Sequence, residues 1–205
     1  MEKQTGRLEA FSDGIFGVAI TLLALEIGIK EYEGADNANL WKKILEQWPE
    51  YFTYFNSFAT VLLIWMGHNK VFRTLRATNH WIILVNGLML LFVVLFPYPT
   101  KLVGSFIGTG AESTAVAFYA GFTGMITFSM MLLNICILKN KDLLLDYKQS
   151  KSWFISQIKG QIIGILSYAG IAILAFYHSE IALVGTFAMW LFWAFATKDN
   201  KEELI

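Results

Sequence analysis

Six apolar runs, each 17 to 25 residues long, constrain this chain more than any other feature. They cover residues 8–28, 51–67, 81–97, 114–138, 161–177 and 181–197. A helix rises about 1.5 Å per residue, so each run is close to or beyond the length that crosses a hydrocarbon layer about 30 Å thick. Membrane barrel strands would alternate apolar and polar residues over about ten positions. These runs are apolar all round and predict helices. The expected fold is therefore all-α, a polytopic membrane protein with six transmembrane helices forming one domain over residues 1–205. The first run carries Glu9 and Asp13 early and has no small-residue cleavage pattern near Glu26. It reads as a retained span, not a signal peptide.

Composition excludes several classes. Only 16% of residues are charged and 56% are hydrophobic, so a disordered chain is ruled out. One cysteine, Cys136, rules out a disulfide scaffold. Sixteen basic residues balance sixteen acidic ones, which argues against a nucleic-acid partner. The distribution of the basic residues predicts orientation. Lys30, Lys42, Lys43 and Lys101 fall in one set of connections; the other twelve fall in the termini and the opposite set. That bias places both termini in the cytoplasm.

Two connections have their own character. Leu40, Trp41, Ile44, Leu45 and Trp48 recur at helical spacing, with Pro49 ending the pattern. They predict an amphipathic interfacial helix. Residues 142–155 mix leucines, Trp153 and Phe154 with lysines and read as an interfacial anchor within a cytoplasmic connection.

No enzyme signature is present. His68, His80 and His178 form no HxxxH or HExxH pair, and no GxSxG or phosphate-cradling loop occurs. The expectation is no enzyme activity, no cofactor and no permanently bound metal.

The first run is different, because ionisable groups enter it. Arg7 and Asp13 lie about 120° apart around a helix and about 9 Å apart along it, so each should find a partner elsewhere. Donors at the depth of Asp13 are Trp65, His68 and Asn69 on the second span, with Asn79, His80 and Asn86 at the start of the third. His68 is the preferred partner, flanked by two further donors. Taking Val18 as zero, Phe11, Gly14, Thr21, Leu22 and Leu25 fall within about 60° of it. Asp13, Ile20 and Ala24 fall on the far side, at about −140°, −160° and −120°.

The stretch Arg7-x-x-x-Phe11-Ser12-Asp13-Gly14, continued by Ala-Ile-Thr-Leu-Leu-Ala-Leu-Glu-Ile, resembles the signature of the transmembrane protein 175 family. That family holds the lysosomal potassium channels of animals and their single-repeat prokaryotic relatives. The resemblance implies a potassium-selective cation channel, a homotetramer in a cell (plasma or inner) membrane, with four first helices around the pore. It implies a hydrophobic constriction at Val18, Leu22 and Leu25, a selective hydroxyl layer at Thr21, and potassium in transit near Thr21, Leu22 and Leu25. Arg7, Phe11, Ser12 and Asp13 would form a structural lock, with His68, Trp65, Asn69 and Asn86 as network partners. A leucine ring can gate by dewetting, and potassium selection needs oxygen ligands or forced dehydration. The alternatives are a secondary transporter rocking on Gly121, Gly124, Gly160, Gly164 and Gly170, a proton channel relaying through His68 and Asp13, and a non-transporting membrane scaffold.

Overall fold

A computed structural model describes residues 5–27 and 36–196. The ends of the first and sixth runs, at residues 28 and 197, lie outside the described residues. So do Lys3, Lys30, Lys198 and Lys201, four of the residues in the charge count. The described chain is helical: α1 Gly6–Leu25, α2 Asn37–Glu46, α3 Trp48–Arg73, α4 His80–Leu95, α5 Pro97–Phe106, α6 Glu112–Lys139, α7 Tyr147–Leu174 and α8 Ser179–Ala196. Among the described residues, extended segments pair only at an isolated antiparallel bridge, Leu75 with Leu144. That bridge clips the α3–α4 connection to the α6–α7 connection, with Leu145 N–H donating to Thr74 O at 2.9 Å.

This is a multi-pass membrane protein. By length and hydropathy α1, α4 continued by α5, α6, α7 and α8 are each long and apolar enough to cross a bilayer. The sixth pass is α3, whose 26 residues also exceed the needed length. It is the more polar helix because it buries Thr53, Asn56, Ser57 and His68 against its neighbours. In a bilayer such groups must be satisfied by other helices.

Several boundaries differ from those read in the sequence. Pro49 does not close the amphipathic segment. It stands in the first turn of α3, where proline loses no helical hydrogen bond. Residues 98–106, expected to be connection, belong to α5: Pro97 breaks the third pass after Phe96 and then starts a new helix. Residues 147–160, expected to be cytoplasmic connection, form the first half of α7. Asp146 caps that helix by accepting from Gln149 N–H at 3.1 Å, and Phe154 is fully buried. The amphipathic helix is present as α2, capped by Asp36 accepting from Asn39 N–H at 2.8 Å, with Trp41 and Leu45 exposed.

Helix pairing is most extensive between α6 and α7, while α1 packs into the groove between α3 and α4. Of the glycines considered as hinges, Gly164 serves a close approach, while a Cβ at Gly124 would make ordinary contact. A Cβ on Gly124 would sit 3.4 Å from Tyr168 Cβ, and one on Gly164 would sit 2.5 Å from the Trp193 ring. Nothing lies within 4 Å of a Cβ at Gly121, Gly160 or Gly170. Gly164→Ala should therefore destabilise by about 1–3 kcal/mol through overpacking, read as a lower midpoint in a detergent thermal melt, whereas Gly170→Ala should be close to neutral.

Candidate functional site: the first helix and its anchor

The seam by which α1 is held is narrow. Ser12, Phe16, Ala19 and Leu23 are buried, each three or four residues from the next. That spacing forms one stripe, centred about 130° from Val18. Asp13, Ile20 and Ala24 are not the packed back of the helix: Asp13 and Ala24 are exposed and Ile20 is half-buried. The angular projection placed them opposite Val18 correctly. The helix, however, leans on α3 and α4 from the side, not from directly behind.

The anchor is a directed chain of hydrogen bonds. The Ser12 hydroxyl donates to Leu8 O at 2.8 Å, as mid-helix serines do. Its free lone pair accepts from Asn86 Nδ2 of α4 at 3.0 Å. Asn86 Oδ1 then lies 2.8 Å from His68 Nε2 of α3. Since the Asn86 amide donates to Ser12, its carbonyl must accept, which assigns the proton to His68 Nε2. Ser12, His68 and Asn86 are all at most 1% exposed. Phe16 and Phe72 flank the imidazole, at ring-centroid distances of 5.4 and 4.4 Å. One serine on α1 is thus tied to both neighbouring helices in an apolar setting, where an unmade bond is costly.

The partner of Asp13 is Trp65, whose indole Nε1–H donates to Oδ1 at 2.8 Å. His68, the expected partner, instead reaches Ser12 through Asn86. The reason is angular: three residues on, His68 turns about 60° away from Trp65 around α3 and faces α4. Asn69 is half-buried and joins neither group, and Asn79 instead caps α4 and donates to Asn140. The expected His68–Asp13 proton relay is not connected, since the Ser12 chain ends on the Leu8 carbonyl. Arg7 and Phe11 are exposed in the single chain and take no part in the anchor. Glu9 accepts from the buried Thr5 hydroxyl in the helix's first turn. Trp65→Phe should weaken the protein by about 1 kcal/mol, as expected for one partly exposed hydrogen bond. In a double-mutant cycle read by thermal unfolding, Asp13 and Trp65 should couple by more than about 0.5 kcal/mol, and Asp13 and His68 by less.

One face of α1 is largely apolar and exposed. Phe11 is 60% exposed, Val18 52%, Leu22 36% and Leu25 74%. Thr21 is exposed among them, and its hydroxyl donates to Val18 O at 2.8 Å. With its proton committed to the backbone, that hydroxyl offers only lone pairs outward, the polarity a cation requires. Among the described residues no three His, Cys, Asp or Glu gather as a metal site.

Residues 7–97, which contain α1, the α3 and α4 anchor and Trp65, match the family model described as endosomal/lysosomal potassium channel TMEM175. The solved structure of a lysosomal potassium-selective channel TMEM175 homolog from Chamaesiphon minutus superposes with a TM-score of 0.85 at 28% identity. It covers 95% of this chain and 98% of that one. These similarities support the TMEM175 family for this chain. That family is one of channels, not enzymes. A relative named potassium channel, also from Chamaesiphon minutus, is 38% identical over 120 residues, which is 58% of this chain and 59% of the relative. The aligned stretch therefore spans little more than half the length of that relative. The bovine protein named endosomal/lysosomal proton channel TMEM175 is 37% identical over 93 residues, 42% of this chain and 19% of that one.

Proposed function

We propose that this chain is the subunit of a homotetrameric, potassium-selective cation channel, with four α1 helices around the conduction path. The observation that carries the reading is the division of α1 into a narrow anchored seam and a broad exposed face of Phe11, Val18, Leu22 and Leu25 with Thr21 among them. A first helix that commits one stripe to its own subunit leaves the other for three copies of itself. Val18, Leu22 and Leu25 then form the hydrophobic constriction, which excludes water until the helices part. Four Thr21 hydroxyls supply acceptors that replace part of the hydration shell of potassium. Both termini face the cytoplasm, and the protein resides in a cell membrane.

Cysteine accessibility tests the arrangement. Cysteines at positions 18, 22 and 25 should react with a small water-soluble thiol reagent and block current, while those at 19 and 23 should not. Equal reaction on both sets would remove α1 from the ion path. Thr21→Val keeps the shape and deletes the acceptor. It should lower the potassium-to-sodium permeability ratio severalfold in an assembled channel. An unchanged ratio would leave dehydration at the apolar rings as the source of selectivity.

A further inference from the structure

Four helices, α3, α6, α7 and α8, border a cavity of about 60 Å³ to which α1 contributes no residue. Its α7 wall carries hydrogen-bond donors. Gln157, Gln161 and Tyr168 all line the cavity, at positions i, i+4 and i+11, which is one face of a helix. Gln161 is 3% exposed, and its Oε1 accepts from Asn134 Nδ2 at 3.1 Å. Its own amide N–H groups have no acceptor among the described residues. Gln157 is half-buried and has no hydrogen-bond partner among the described residues. The Tyr168 hydroxyl accepts from Trp193 Nε1 at 3.1 Å, which leaves its own proton to donate.

The walls made by α3 and α6 carry acceptors. The hydroxyl of Thr60 donates to Asn56 O at 2.8 Å, that of Thr123 to Tyr119 O at 2.8 Å, and that of Thr127 to Thr123 O at 3.0 Å. With their protons committed to the backbone, these three offer only lone pairs. No charged side chain lines the cavity, and Ile64, Ile126, Met130 and Trp190 make part of it apolar. A buried amide N–H without an acceptor is costly, and more so at membrane depth. Helix–helix adhesion accounts for the Asn134–Gln161 bond but not for the donors left facing the cavity. A water needs about 10–15 Å³ by this kind of measure, so the space suits a few waters or one small organic molecule. Water would satisfy the polar groups but would also have to wet the apolar part. A molecule with one hydroxyl and a short alkyl chain suits both surfaces.

From this geometry we propose that the cavity is a binding site for a small uncharged alcohol of about two to four carbons. The ligand oxygen accepts from the amide donors of α7, its O–H donates to a threonine oxygen of α3 or α6, and the alkyl chain lies on the apolar residues. An ionic ligand is disfavoured because nothing in the lining would balance its charge. The site does not depend on α1 lining a pore.

The test uses the purified full chain in phosphatidylcholine nanodiscs, whose headgroups bear no hydroxyl, and a diazirine-bearing butanol as photolabel. Labelled positions are read by peptide mass spectrometry. Labelling should saturate and fall within residues 123–130 of α6 and 157–168 of α7. It should be displaced by n-propanol but not by n-propyl chloride at the same concentration. Thr127→Val keeps the shape and removes an acceptor, and should raise the half-saturating concentration about two- to tenfold, the worth of one hydrogen bond. Gln161→Leu should do at least as much, and Thr127→Val guards against a loss of folding in that variant because Thr127 is not part of the Asn134 bond. Unsaturable labelling spread over the lipid-facing surfaces would overturn the proposal and leave water as the occupant. So would equal displacement by n-propyl chloride, or unchanged half-saturation in both variants, since either would mean that the polar walls do not recognise the hydroxyl.

Discussion

Asn86→Ala is expected to lower stability by about 3–5 kcal/mol, more than any substitution on the exposed face of α1. The side chain is fully buried and serves two partners, donating to Ser12 and accepting from His68. Removing it leaves the His68 imidazole N–H without a partner, at roughly 1–3 kcal/mol in a dry setting, and takes from the Ser12 oxygen the bond it accepts while its own bond to Leu8 O remains. A cavity is added to that cost. For a chain of this size, 1 kcal/mol moves a midpoint by roughly 2–4 °C. A detergent thermal melt should therefore show a drop on the order of 10 °C. Because α1 is the helix released, the tetramer proposed above should also come apart at lower temperature than helix is lost. A shift under about 2 °C would mean that the apolar seam alone holds α1 and the polar chain adds nothing.

Leu25→Ala should raise single-channel conductance severalfold, and Leu22→Ala should do so to a smaller degree. Leu25 is the most exposed residue of the face, and Leu22 stands one turn before it, nearer the packed seam. A ring of four leucines resists wetting, and truncation to alanine widens it by several ångströms and removes the apolar barrier. Discrimination between potassium and sodium should weaken in the same variants if the constriction helps strip water from the ion. Unchanged conductance in both variants would take these residues out of the constriction. The effect should be kinetic and not structural, since neither side chain is part of the seam.

The passes were legible because six apolar runs admit few other arrangements. Their ends were not. Tyr147–Gly160 and the last turn of α3 continue as helix beyond the apolar runs, where polar residues keep their helical hydrogen bonds but leave no hydropathy signal. The third run ended at Pro97 in the sequence, but a proline that ends one helix can also start the next, and only the structure shows α5 doing so. At the site, the contributing residues were readable while their pairing was not. Trp65, His68 and Asn86 all lie at the right depth. Which of them meets Asp13 depends on how α3 is rotated against α1, and no single-helix projection contains that rotation.

The central claim is potassium conduction through this protein, and one measurement addresses it directly. Purified protein is placed in a planar bilayer with potassium chloride on one side and sodium chloride on the other, and the voltage of zero current is read. The account predicts a current that reverses well away from zero, toward the potassium equilibrium potential. Reversal at zero would make the protein a non-selective pore, and a silent bilayer containing assembled protein would contradict the channel reading itself.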